Sequence, residues 1–331
     1  MNTKSDPLRY GCHGGWYKYE DNPLVGPEGG FTFDPSIVKL DDRFRMYFSL
    51  IVPGETFTSV AYTESKDGIT GWSDYTVVMK PRKNITFKED DINRTFVRLE
   101  DGVFKMWFTS QTNGGFIPAS FEEKYIYSTV EGKCSAVIYY ATSKDGIEWD
   151  IMDEPILTAD QPWEKNSVVG PCVYFDEEKN KYRMWYSGGG WAEPDAFGYA
   201  ESADGINWEK PFDKPILLPN PDNIYEAMRL AGPEIVKQDG WFYLFYIGFE
   251  ELFKANICLA RSKNGTSDWE HYKHNPIIRS GMPDSFDYGS IYKASLYFDE
   301  CNDRWFLYYN GSNGAVERIG LAIHPGYDLW G

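Results

Sequence analysis

Ser143-Lys-Asp-Gly-Ile-Glu-Trp149 decides the fold, because the phrase recurs as Ser65-Lys-Asp-Gly68, Ser202-Ala-Asp-Gly-Ile-Asn-Trp208 and Ser262-Lys-Asn-Gly-Thr-Ser-Asp-Trp269. Asp-Gly and Asn-Gly tolerate positive φ and read as tight turns between antiparallel strands. An apolar stretch precedes each one: Val60-Ala-Tyr62, Ile138-Tyr-Tyr-Ala141, Phe197-Gly-Tyr-Ala200 and Ile257-Cys-Leu-Ala260. Asp145 and Asp204 stand 59 residues apart, Asp204 and Asn264 60 apart. The longer step of 78 from Asp67 to Asp145 predicts an insertion near Thr112–Ser135. A fixed period of this size marks a repeat architecture.

A second phrase precedes the first by about 20 residues in the repeat. It pairs Ile37-Val-Lys-Leu40 with Phe44-Arg-Met-Tyr-Phe48, and Phe96-Val-Arg-Leu99 with Phe104-Lys-Met-Trp-Phe108. Further copies end in Tyr182-Arg-Met-Trp-Tyr186, Trp241-Phe-Tyr-Leu-Phe-Tyr246 and Trp305-Phe-Leu-Tyr-Tyr309, which makes five. A third phrase closes the units: Glu154-Pro-Ile-Leu157, Lys214-Pro-Ile-Leu217 and Asn275-Pro-Ile-Ile278. The fifth copy lacks an outer strand, and Trp16-Tyr-Lys-Tyr-Glu-Asp-Asn22-Pro23-Leu24 has the same Trp-to-Pro interval as Trp208–Pro215 and Trp269–Pro276. The expected fold is all-β: a single domain over residues 1–331, a five-bladed β-propeller of four-stranded antiparallel blades. Its N-terminal strand is expected to pair beside Gly320–Ile323 and close the ring. A β-sandwich of similar hairpins is the alternative.

Composition narrows the function. The 331 residues carry a net charge of −17, which argues against nucleic acid and anionic membrane surfaces as partners. Five scattered cysteines, no Cys-x-x-Cys pair and four histidines predict neither a metal site nor a disulfide framework. No cofactor is implied. No stretch approaches about 18 apolar residues, and Met1–Tyr10 has no apolar segment of a secretory signal, so a cytoplasmic location is expected. Aromatic residues make up 17% of the chain, a load that suits strands and also a site that stacks on flat apolar faces.

In a propeller the starts of the innermost strands and the loops between second and third strands share one face. Those places hold Asp34; Glu89, Asp90, Asp91, Asn93 and Arg94; Trp163 and Glu164; Tyr225, Glu226, Arg229 and Glu234; Asp284, Asp287 and Lys293. The second loops add Gln111, Trp191, Glu193, Asp195, Glu250, Glu251, Glu317 and Arg318. Paired carboxylates among aromatics, with no metal ligands, are the chemistry of glycosidic bond cleavage: one carboxyl donates a proton, the other attacks or activates water.

Phe33-Asp34-Pro35-Ser36-Ile37 resembles the first-blade Asp-Pro motif of the five-bladed propeller glycosidases of glycoside hydrolase families 43, 32, 68 and 130. The resemblance implies that Asp34 is the catalytic base or nucleophile. Family 43 carries a further Asp-Pro in the second blade, where Asn93-Arg94 stands here, and places its acid in a Glu-Gly-Pro, where Ala231-Gly232-Pro233 stands here. The Arg-Asp-Pro of families 32 and 68 is absent. The proton donor is therefore expected at Glu226, six residues before Gly232, with Glu193 second and Asp287 and Glu317 next. Substrate contacts are expected from Asp91, Asn93, Arg94, Trp163, Glu164, Trp191, Arg229, Asp287 and Lys293. Asp67, Asp145 and Asp204 are read as turn residues, and Trp149, Trp208 and Trp269 as packing.

The activity expected is hydrolysis of a glycosidic bond. Two alternatives stand beside it: a non-catalytic or inactivated carbohydrate-binding propeller, and a glycoside phosphorylase. A phosphorylase needs a basic phosphate pocket, for which Arg94, Arg229, Lys293 and Arg318 are the candidates.

Overall fold

A computed structural model describes residues 9–83, 85, 87–112, 134–190, 194–251 and 254–331. These residues form nineteen strands and no α-helix. After the short β1 (Tyr17–Lys18), the strands fall into antiparallel sets. The first set is β2 (Phe31–Lys39), β3 (Phe44–Ile51), β4 (Ser59–Ser65) and β5 (Thr76–Met79); the second is β6 (Asp91–Glu100), β7 (Val103–Thr112), β8 (Ser135–Ser143) and β9 (Asp150–Ile151). The third is β10 (Ser167–Asp176), β11 (Lys181–Gly189) and β12 (Pro194–Ser202), edged by single bridges at Glu209 and Leu217. The fourth is β13 (Arg229–Gln238), β14 (Trp241–Glu251), β15 (Lys254–Ser262) and β16 (Glu270–His271); the fifth is β17 (Ser290–Asp299), β18 (Arg304–Ser312) and β19 (Glu317–Pro325). The insertion expected between Thr112 and Ser135 falls on residues 113–133, outside those described.

The first strands pack on one another in succession: β2 on β6, β6 on β10, β10 on β13, β13 on β17, and β17 on β2. The N-terminal segment lies on the far edge of the fifth set. Tyr17 pairs with Ile323 and Lys18 with Ala322, and Leu24 N–H donates to Ile319 O at 2.8 Å. Pro23-Leu24-Val25 thereby repeats what Pro155-Ile156-Leu157 does against Ile138, Pro215-Ile216-Leu217 against Phe197, and Pro276-Ile277-Ile278 against Ile257.

The repeated turn has a second purpose besides reversing the chain. Asp67, Asp145, Asp204 and Asn264 each accept two backbone N–H bonds within the turn, at 2.7–3.0 Å. The glycine that follows then offers its carbonyl to an aromatic side chain of the preceding set. Tyr47 Oη donates to Gly146 O (2.8 Å), Trp107 Nε1 to Gly205 O (2.9 Å), Trp185 Nε1 to Gly265 O (2.7 Å) and Tyr308 Oη to Gly68 O (2.9 Å). These aromatics occupy one repeat position, after Arg-Met or Lys-Met in three copies. In the fourth set that position is Phe245, which has no donor; the fifth set has no such turn, and the ring of Trp16 meets Phe245 edge-on at 6.1 Å instead.

Glycine is required in these turns. Gly205 has φ +80°, and a Cβ there would stand 3.3 Å from the Trp107 ring. Trp107 is fully buried. Trp107→Phe keeps most of the apolar volume but leaves the Gly205 carbonyl without this donor. Denaturant unfolding should show a loss of about 1–2 kcal/mol with an unchanged m-value.

Candidate active site

The five first strands share a bulge. Register with the second strand jumps between Phe33 and Ser36, Asn93 and Phe96, Val169 and Cys172, Ala231 and Glu234, and Tyr292 and Ala294. The bulged residue takes left-handed φ in every case: Asp34 (53°), Arg94 (50°), Gly170 (61°), Gly232 (60°) and Lys293 (35°). Glycine adopts this conformation without strain and aspartate at small cost, whereas the longer side chains of Arg94 and Lys293 rarely do. Strained positions of this kind concentrate at functional sites. Four of the bulged N–H groups are held by the preceding set: Arg94 by Ser49 Oγ (3.0 Å), Gly170 by Thr109 Oγ1 (3.0 Å), Gly232 by Ser187 Oγ (3.1 Å), and Asp34 by Asn310 Oδ1 (3.1 Å).

Asp34, Arg94 and Lys293 form one electrostatic group. Asp34 is 8% exposed, and its carboxylate accepts from Ser49 Oγ at 3.3 Å. Burial pushes the carboxyl above its ordinary value, while the charges of Arg94 and Lys293 and the Ser49 hydroxyl pull part of the way back. Asn310 links Asp34 to a second acid: its Nδ2 donates to Glu317 Oε1 at 2.5 Å. Glu317 opens β19 and is half-buried. On the other side, Asn93 Nδ2 donates to Gln111 Oε1 at 2.7 Å, and Asn93 Oδ1 is buried with no hydrogen-bond partner among the described residues.

Several carboxylates expected at the substrate make internal hydrogen bonds. Glu226 is fully buried. Its carboxylate accepts from Tyr246 Oη, from Asn223 Nδ2 at 2.8 Å, and lies 3.1 Å from His271 Nδ1. Burial raises its pKa, but the hydrogen bonds from His271 and Tyr246 outweigh it and hold the carboxyl below the usual range. A general acid needs the opposite. Glu164 repeats the arrangement one set earlier, accepting from Tyr186 Oη (2.5 Å), the N–H groups of Asp160 and Gln161, and Lys210 Nζ (2.8 Å). Asp287 repeats it one set later, with Tyr309 Oη at 2.9 Å and Lys18 Nζ at 2.7 Å. Each ties the loop entering a set to that set's second strand. Asp91 is likewise fully buried and accepts from Thr58 N–H at 2.8 Å.

The remaining candidates divide. Lys293 directs its ammonium at Glu234 Oε2 (2.9 Å), Ala294 O (3.0 Å) and Pro233 O (3.1 Å), so all three N–H bonds have protein acceptors and none is left for a substrate. Arg229 is 3.8 Å from Asp195, and Arg318 is buried on the carbonyls of Gly30 (2.5 Å) and Glu317 (2.9 Å). Of the four cations expected around a phosphate, Lys293 and Arg318 are thus held by protein acceptors, and Arg229 lies near Asp195. Trp163 is half-buried and stacks on Tyr186, centroids 6.3 Å apart, which covers one ring face. Trp191 and Glu193 lie outside the described residues. Among those described, no group of three metal-binding side chains gathers.

The model of Glycosyl hydrolases family 43 matches residues 21–322. The chain belongs to this family. It is 23% identical over 321 residues to a xylan 1,3-beta-xylosidase of Vibrio sp, covering 93% of this chain and 52% of that protein. It is 34% identical over 137 residues to a 1,2-beta-oligomannan phosphorylase of Thermoanaerobacter sp. (strain X514), covering 36% of this chain and 42% of that one. The chain thus spans about half the length of these curated relatives. A solved glycoside hydrolase superposes with a TM-score of 0.72 at 18% identity, over 94% of this chain and 93% of its own, which shows the shared propeller fold.

In this family 43 chain the bulges sit where the motifs expected from the resemblance would stand. Arg94 takes the bulged position in the second set, where an Asp-Pro was expected, and Ala231 stands where the Glu of Glu-Gly-Pro was expected. Reasoning from sequence passed over Asn310 and Ser49, and placed Glu234 at the start of a first strand without giving it a role. A signal for Asn310 was present: it fills the repeat position that Ser49, Thr109 and Ser187 fill in other copies.

Proposed function

We propose that this protein is a glycoside hydrolase whose reaction takes place where the five first strands meet, with Asp34 as base or nucleophile and Glu317 as proton donor. The site sits at the axis of one five-bladed propeller. The cyclic packing of β2, β6, β10, β13 and β17 supports that architecture, as does the pairing of β1 with β19 and the Tyr308-to-Gly68 bond between last and first sets. The observation that carries the catalytic reading is the chain Asp34–Asn310–Glu317. A single amide ties the backbone of the Asp34 bulge to the Glu317 carboxylate, and glycosidic cleavage calls for two such acids within reach of one sugar. Asn93 Oδ1, buried and lacking a protein donor among the described residues, is positioned to accept from a sugar hydroxyl.

The activity, substrate and partners of the whole protein follow the same reading: a carbohydrate substrate, no phosphate and no cofactor. The local likeness to an oligomannan phosphorylase favours phosphate as the attacking group. The occupied ammonium of Lys293 and the backbone-bound Arg318 count against it. Release of aryl alcohol from a panel of aryl glycosides, in buffer with and without inorganic phosphate, separates the two. Hydrolysis predicts equal rates; strict dependence on phosphate would overturn the hydrolase reading.

The proton donor is tested by leaving group. Glu317→Ala should lose about 10²–10⁴-fold on a methyl glycoside and keep most activity on a 2,4-dinitrophenyl glycoside, whose leaving group needs no proton. Glu226→Gln and Glu193→Ala, run in parallel, should show no such contrast. If Glu193→Ala shows it and Glu317→Ala does not, the donor is Glu193.

A further inference from the structure

Two departures from the repeat meet in one place. At the bulge, the third and fourth sets carry glycine, whereas the fifth carries Lys293 in a left-handed conformation. Two residues beyond the bulge, Ser36, Cys172 and Ser295 each accept the backbone N–H of a neighbouring set: Val97 (3.0 Å), Ile235 (3.2 Å) and Ile37 (3.0 Å). The fourth set has Glu234 there, and its carboxylate takes Lys293 Nζ at 2.9 Å. Both are buried, with side chains 9% and 3% exposed for Glu234 and Lys293. Gly232 leaves room for the lysine: a Cβ there would stand 3.3 Å from Lys293 Cδ and 2.8 Å from Ile247 Cδ1.

A buried ion pair contributes little to stability, because desolvation offsets the attraction. Its retention at a strained position beside Asp34 calls for another role. We propose that the Lys293–Glu234 pair is a positioning device for the catalytic carboxylate: Glu234 and two carbonyls fix the ammonium on β17, which packs against β2, the strand whose bulge carries Asp34, and so hold its charge toward that carboxylate. This rests on Asp34 being the base or nucleophile. Groups from five strands bear on Asp34. Arg94 comes from β6 and Lys293 from β17; Ser49 of β3 and Asn310 of β18 are neutral; Glu317 of β19 is one amide away. Burial alone disfavours the charged carboxylate, so the two cations oppose the cost of its confinement. Every N–H of the Lys293 ammonium is occupied by protein, so Lys293 acts on Asp34 through charge and geometry alone.

The test reads Asp34 directly. In protein labelled with 13C at the Asp carboxyl carbon, the Asp34 resonance is identified by its loss in Asp34→Asn, and its titration midpoint is followed by NMR. Lys293→Met with Glu234→Gln removes both charges and leaves no unpaired buried ion. The midpoint should rise by about one pH unit. Glu234→Gln alone leaves the cation less neutralised, so the midpoint should fall. Opposite shifts are not expected of a purely structural pair. An unmoved midpoint in the folded double variant would overturn the proposal. The acidic limb of kcat/KM on an aryl glycoside should follow the midpoint upward. If the midpoint moves and the limb does not, the coupling stands and the catalytic role of Asp34 fails.

Discussion

Asp34→Asn should fold as the wild type does and lose roughly 10²–10⁴-fold of kcat on aryl glycosides. Asparagine tolerates left-handed φ as well as aspartate does, so the bulge at 53° survives. The amide oxygen still accepts from Ser49 Oγ, and the backbone N–H still donates to Asn310. What disappears is the ability to take a proton or to attack carbon. Thermal unfolding with an unchanged midpoint, together with the lost turnover, would place the defect in chemistry. Wild-type turnover in this variant would remove Asp34 from the mechanism.

Trp16→Ala should destabilise the protein by about 3–5 kcal/mol, the largest single effect on folding expected here. The indole is 1% exposed and packs against Phe245 of the fourth set and His324 of the fifth, centroids 6.1 and 5.2 Å away. The preceding Gly15 has φ +91°, and a Cβ there would stand 2.6 Å from His324 Nε2, so the entry of this segment depends on glycine. Beyond Trp16 the segment carries Lys18, whose ammonium pairs with buried Asp287 at 2.7 Å. Removing residues 1–24 would expose the edge of β19 and leave Asp287 buried without Lys18. Urea unfolding of the truncated chain should broaden or split. A truncated protein that unfolds in one sharp step at the wild-type midpoint would show that the segment merely decorates the fifth set.

Most of the strand pattern was legible because turns are local chemistry. Ser-x-Asp-Gly specifies its own hydrogen bonds, and an aromatic after Arg-Met or Lys-Met finds the next turn's carbonyl at a fixed place. The N-terminal strand was legible for the same reason: the Trp16-to-Pro23 interval copies that of other outer segments, and its residues pair beside Ala322 and Ile323. The site was less legible. Glu164, Glu226 and Asp287 were placed correctly before a first strand, but their burial depends on tyrosines about 20 residues onward, at 186, 246 and 309. That correlation lies within the repeats: the corresponding residues of the first two sets are Phe48 and Phe108, which have no hydroxyl to offer an acid. Lys293 was read as a substrate contact because sequence shows a charge and not its acceptors. Glu234 was placed at the start of its first strand but given no role, because sequence does not show Lys293 across from it.

The most direct test of the central claim is a crystal structure of Asp34→Asn with an oligosaccharide that the wild type hydrolyses. The account predicts the scissile sugar where the five first strands meet. The substituted amide at position 34 should face the anomeric carbon, directly or through one water, and the Glu317 carboxyl should lie about 2.6–3.2 Å from the glycosidic oxygen. A sugar bound elsewhere, or a glycosidic oxygen contacted by a different acid while Glu317 remains closed on Asn310, would contradict it.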